Sequence, residues 1–137
     1  MSGETDLDKL LGSMNAVLQD GIFVFATLND QAIIQKANAV MVFTEPEGTT
    51  LILHKEEAGR LNIAHEFPCR MITLNVHSAL EAVGFIARIA TMLAELGMGV
   101  NPVYGFYHDH LFVPQDRAED AMAALKQMAI DASQKTL

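Results

Sequence analysis

The sequence predicts an α+β fold of two small lobes, each an antiparallel sheet carrying helices, and three observations predict it. Short apolar runs alternate along the chain with stretches of helical spacing. The order of elements then repeats. Residues 22–61 give strand, connector, strand, hairpin, strand, helix, and residues 70–130 give strand, helix, strand, turn, strand, helix. Finally, each half stops one strand short of the β-α-β-β-α-β order of a ferredoxin-like unit. Two such halves imply strands completed between lobes, because neither half alone buries enough apolar surface. The expected division is a first lobe over 1–63 with a degenerate first helix, and a second lobe over 64–137.

The first half opens on a short helix carrying Leu7, Leu10 and Leu11, with Thr5 as its cap and Asp6 and Asp8 in the first turn. Ala16–Leu18 is a short strand ended by the turn Gln19-Asp20-Gly21. Ile22–Leu28, aromatic and branched, reads as a buried strand, whereas Asn29–Asn38 fits either a loop or a helical turn. Ala39–Thr44 and Thr49–His54 are apolar strands joined by Glu45-Pro46-Glu47-Gly48, a four-residue loop with Gly48 at positive φ. Lys55–Leu61 is a short helix and Asn62–Cys69 a linker.

The second half is more regular. Arg70–Val76 alternates, placing Ile72, Leu74 and Val76 on one face and Met71, Thr73 and Asn75 on the other. Ala79–Leu96 has helical spacing, with Val83, Ile86, Ala90, Leu93 and Gly97 on the apolar face and Glu81, Arg88 and Glu95 on the wet one. Ser78 and Glu81 form an S-x-x-E capping box, and Gly97 is a C-terminal stop. Val100–Tyr107 and Leu111–Val113 are strands around a His108-Asp109-His110 turn. Pro102 removes a ladder donor, so its strand belongs at an edge, as the second strand of a 4-1-3-2 sheet does. Asp116 and Glu119 open a last helix through Ala121, Met122, Leu125 and Met128, fraying after Ser133.

Composition removes whole classes of function. A net charge of −8 argues against nucleic acid and against an anionic membrane surface, both of which attract clustered Lys and Arg. No apolar run approaches the length of a membrane span, and the acidic N-terminus does not read as a secretion signal. The lone Cys69 forms no intrachain disulfide, so a reducing cytoplasmic location is expected. No nucleophile–base pair, carboxylate dyad or cofactor motif is readable, so the expectation is a protein that is not an enzyme and needs no cofactor.

The strings SGETDLDKLL, VHSALEAVG and YHDHLFV together resemble a bacterial family of short, stand-alone tandem ACT-domain proteins over residues 2–130. That resemblance implies a regulatory module binding a small amino-acid-like ligand where the turn after the first strand meets the second strand. Carried over by position, the turn is His77, Ser78, Ala79, Leu80, Val83 and Gly84, and the second-strand residues are Asn101, Pro102 and Val103. The chain departs from the pattern in one respect. Many ACT domains place a proline–glycine pair before the helix, whereas here the turn reads Ser-Ala-Leu-Glu, and the Glu81 carboxylate competes with a bound anion for the helix dipole.

Other residues have competing readings. Ser78 serves as a cap or as a ligand contact, and Asn101 offers the donor and acceptor that an amino-acid backbone requires. His108 and His110, alternate residues of one segment, are candidate metal ligands, though consecutive polar residues there also describe an exposed turn. Cys69 is activated by Arg70 or simply buried. Tyr104, Phe106 and Tyr107 are expected to pack on the sheet, and the scattered methionines to fill the core. The leading expectation is a non-catalytic sensor that changes an interface on binding its ligand. The edge at Asn101 invites pairing with a second copy, and a partner enzyme is expected where the chain is an interaction module engaging it through a hydrophobic sheet face or groove. The alternatives are a protein-interaction module without a small ligand and a metal-responsive protein using the His-Asp-His segment.

Overall fold

A computed structural model describes residues 6–76 and 84–135. The chain forms two compact units: one combines the segment up to Gln19 with everything from Met71 onward, and the other is Asp20–Arg70.

The second of these holds β2 (Phe23–Leu28), α2 (Gln31–Lys36), β3 (Ala39–Glu45), β4 (Gly48–His54) and α3 (Lys55–Arg60). Its sheet is completed by the start of β5 (Glu66–Asn75), giving the order β5-β2-β4-β3. The ambiguous connector is therefore a short helix, which the Asp30 carboxylate caps by accepting from the backbone N–H groups of Ala32 and Ile33. Val24, Ala26, Leu51, Leu53, Ala58 and Ile63 form the core beneath the two helices. The hairpin between β3 and β4 is tighter than the four-residue loop expected. Glu45 pairs directly with Gly48, which has the expected positive φ, 158°, leaving Pro46 and Glu47 at the turn. Glycine is needed at 48 for a second reason as well: a Cβ would lie 2.6 Å from Thr27 Oγ1.

The expected linker 62–69 is the main correction in this half, because residues 66–69 are strand. They pair with β2, Cys69 opposite Phe23 and Glu66 opposite Phe25, which leaves an extra residue on β5. Phe67 takes a left-handed φ of 58° there, its ring edge-on to Phe25 at 5.6 Å. Pro68 falls within this bulge, which is how a proline sits inside a paired strand.

The other unit holds α1 (Leu7–Ser13), β1 (Asn15–Leu18), the end of β5, α4 (Phe85–Glu95), β6 (Asn101–Tyr104), β7 (Asp109–Pro114), a 3-10 turn at Gln115–Arg117 and α5 (Ala118–Lys135). Its sheet order is β1-β5-β7-β6. Both sheets thus follow 4-1-3-2, and in each the fourth strand comes from the other half of the sequence. The exchange occurs within one chain: β1 completes the later lobe and residues 66–69 complete the earlier one. The N-cap of α1 is Asp6, accepting from Lys9 N–H; the expected cap Thr5 lies outside the described residues. Gly12 lets α1 approach α5 closely, since a Cβ there would be 3.1 Å from the Ser133 Cα.

Leu10, Leu11, Ile72, Leu74, Ile89, Leu93, Leu111, Val113 and Leu125 form the center of this core. The buried face of α4 is Phe85, Ile89 and Leu93, with Ile86 and Ala90 at its flank, one position away from the face that the spacing suggested. That helix also begins later than expected. Gly84, its N-cap, has a φ of 86°, outside helical geometry. The expected Ser78–Glu81 capping box lies outside the described residues. The stop at Gly97 is as expected. With a φ of 77°, Gly97 donates to Ala94 O and Met98 to Leu93 O, a Schellman closure.

Candidate functional site

Five of the nine expected ligand residues, His77, Ser78, Ala79, Leu80 and Val83, lie outside the described residues. The other four belong to two places in one unit. Gly84 is the turn into α4, where no described side chain caps the helix. Asn101, Pro102 and Val103 lie on β6, which pairs with β7 and ends the sheet. Pro102 thus stands on an edge strand, where its missing donor costs least.

Register decides which β6 side chains share a face. Asn101 pairs with Phe112 and Val103 with His110, whereas Pro102 pairs with Leu111 and Tyr104 with Asp109. Leu111 and Val113 enter the core under the helices. Asn101, Val103 and His110 therefore lie on the sheet face turned away from that core, with Asn101 and Pro102 exposed.

A hydrogen-bonded relay crosses three strands or strand ends on that same face. Gln19 Nε2 donates to Thr73 Oγ1 at 3.0 Å, and Thr73 Oγ1 lies 3.0 Å from His110 Nδ1. Burial favours the uncharged ring, whose Nδ1 accepts the hydroxyl proton in the tautomer protonated at Nε2. Burial is the main cause that lowers the His110 pKa from its ordinary value, aided by His108 and opposed by Asp109. Asp109 is shifted the other way: burial raises its pKa, against the pull of His110 and His108. Thr73 was legible as the polar side of an alternating strand, but its partners, 54 and 37 residues away, were not.

The structure corrects the turn assignment. Asp109 and His110 are strand residues, and the connection is 105–108, closed by Gly105 N–H donating to His108 O. Phe106 and Tyr107 stand at its tip, 79% and 81% exposed, with Tyr104 also exposed instead of packed on the sheet. The two tip rings touch edge to face at 5.1 Å. His108 and His110 have perpendicular rings with centroids 6.5 Å apart. Among the described residues no three His, Cys, Asp or Glu side chains gather as a metal site. Cys69 is buried, its thiol donating to Phe23 O at 3.3 Å, and burial pushes its pKa up to about 12, so Arg70 does not activate it. A groove of about 710 Å³ beside α1, β1 and α5, lined by Met14, Ala16, Met122, Leu125 and Ile130, shares no residue with the expected site. No helix among the described residues is long and apolar enough to cross a membrane.

Comparison with known proteins agrees with this architecture. One ACT-domain profile matches residues 2–70 and a second matches 66–127, overlapping where β5 serves both sheets. No curated protein sequence matches the chain. A Vibrio cholerae protein of unknown function, described as a possible transport protein, is 41% identical, with 90% of this chain and 95% of that one covered at a TM-score of 0.82. An Agrobacterium tumefaciens protein shares the fold at 17% identity, with 85% and 89% covered and a TM-score of 0.73. So does the ligand-free regulatory subunit of aspartate kinase from Thermus thermophilus, at 12% identity, 83% and 97% covered and a TM-score of 0.64. Two matched repeats, two 4-1-3-2 sheets and a near-full-length relative lead to one conclusion: the chain belongs to the ACT-domain family, as a tandem ACT protein.

Proposed function

We propose that the chain is a non-catalytic regulatory module that binds a small amino-acid-like ligand between the turn 77–84 and Asn101, Pro102 and Val103 of β6. The observation that carries this reading is Asn101, whose amide stands exposed on an edge strand beside a sheet face that already holds a polar relay. An amide there matches both ends of an amino-acid backbone, accepting from the ammonium and donating to the carboxylate. The likeness to aspartate kinase regulatory subunits supports the regulatory half of the reading. Ligand binding would act by stabilising one arrangement of an interface over another.

The test is thermal unfolding of the metal-stripped protein against the twenty amino acids. A ligand at a hundred times its dissociation constant adds about 2.7 kcal/mol, a shift of several degrees. A chemically related set of amino acids should raise the transition, and Asn101→Ala should abolish the rise. Full affinity retained in Asn101→Ala would remove β6 from the site.

A second reading rests on the exposed tip at Phe106 and Tyr107. Two large aromatic rings held in water are the anchors a partner enzyme's surface would cover. An absence of any amino-acid effect, with loss of partner capture in Phe106→Ser, would favour that reading.

A further inference from the structure

The groove of about 710 Å³ between β1 and α5 has the size of a small-molecule site, and its two walls offer different chemistry. One wall is β1, which pairs with β5 on one side and with no strand on the other among the described residues. That side presents backbone groups to an extended ligand. The other wall is the outer stripe of α5. Met122 and Ile130 from α5, with Met14 and Ala16 opposite, make an apolar lining, and Ile130 is 42% exposed. Of the residues lining the groove, Glu119 and Lys126 alone carry charge. Seven residues apart, they stand two turns apart on one face of α5, about 10.5 Å along its axis. Both are exposed, and neither side chain has an ion-pair or hydrogen-bond partner among the described residues. The groove is thus an apolar strip with one negative and one positive point at a fixed spacing.

We propose that this groove binds a free tripeptide with apolar side chains, its ammonium at Glu119 and its carboxylate at Lys126. The spacing selects the length, since three extended residues span about 10 Å. A single amino acid is too short to meet both charges, and a segment inside a protein chain has neither terminal charge to offer. An apolar carboxylate without an ammonium would leave Glu119 facing an anion's chain with no cation to meet. Pairing along β1 uses backbone groups that every peptide carries, and the flexible methionines adapt to different side chains. The ligand is therefore a class, apolar tripeptides, instead of one sequence. The site shares no residue with the turn 77–84 or with β6, so it stands whether or not an amino acid binds there.

Calorimetric titration of the full chain with trileucine, N-acetyl-trileucine and trileucine amide tests the proposal. Trileucine should bind, and blocking either terminus should weaken it about fivefold, the worth of one exposed ion pair. Lys126→Gln should lose the sensitivity to amidation and keep the sensitivity to acetylation, and Glu119→Gln should do the reverse. Both side chains are exposed, so the two variants should keep the wild-type circular dichroism spectrum. Asn101→Ala should leave trileucine affinity unchanged, which separates this site from the amino-acid site at β6. No trileucine binding at millimolar concentration, equal affinity for the blocked peptides, a Lys126→Gln variant that still discriminates acid from amide, or loss of trileucine binding in Asn101→Ala would each overturn the assignment. Dimerisation abolished by Ile130→Lys, without peptide binding, would overturn it in favour of a second copy in the groove.

Discussion

Thr73 links three parts of one sheet through a single hydroxyl, accepting from Gln19 and satisfying His110 Nδ1. Removing it in Thr73→Val leaves a half-buried imidazole nitrogen without its partner, and urea unfolding should show a loss of about 1–3 kcal/mol. The ring also couples folding to pH. Its pKa is lower in the folded protein than its ordinary 6.5. The unfolded chain therefore binds more protons between those two values, so stability is full above pH 6.5 and declines as pH falls through that window. Asp109 acts with the opposite sign at lower pH. Its raised pKa means that the folded state holds its proton longer, so its contribution improves as pH falls toward 3.8. A histidine proton titration should place the His110 midpoint below 6.5, and His110→Gln should flatten the corresponding limb of the stability profile. A midpoint at or above 6.5 would contradict the uncharged assignment.

At the scale of elements, glycines mark where α4 begins and ends. Gly84 and Gly97 both adopt positive φ, and only the second could be assigned from the sequence, because a stop after a regular apolar face is a local signal. The start at Gly84 falls inside a stretch whose spacing is helical throughout, so no local break marked it. Gly97→Ala forces a Cβ into the left-handed region and should cost about 1–2 kcal/mol in denaturant unfolding, with no neighbour within 4 Å to complicate the reading. An unchanged stability would mean that the Schellman closure is not what holds the end of α4. The bulge in β5 is the other decisive element. Residues 62–69 look like a linker because Pro68 lacks a donor, yet the left-handed Phe67 turns that defect into a register shift and keeps the strand continuous.

At the scale of the molecule, the chain's first helix and first strand belong to the later lobe. Leu10 and Leu11 are fully buried against α4 and α5, far from them in sequence. Leu10→Ala should therefore cost about 2–5 kcal/mol. Hydrogen exchange should accelerate in α5 and β7 more than in β2 and β4. Faster exchange in β2 and β4 would place Leu10 in the wrong core. The exchange of strands also explains why each repeat looks truncated: its last strand is present, but in the other half of the chain.

What the sequence by itself determined was whatever depends on neighbours along the chain. Period-two and helical spacing located most strands and most helices, the repeat predicted two 4-1-3-2 sheets, and Pro102 pointed to an edge. The family followed from three short strings. Tertiary structure decided what depends on partners far apart: the Gln19–Thr73–His110 relay, the burial of Cys69, and the strand pairing of residues 66–69. It also decided that Tyr104, Phe106 and Tyr107 face water. Apolar character alone does not say which side of a sheet or which edge a side chain occupies, because register and pairing partners are set by contacts that no local pattern encodes.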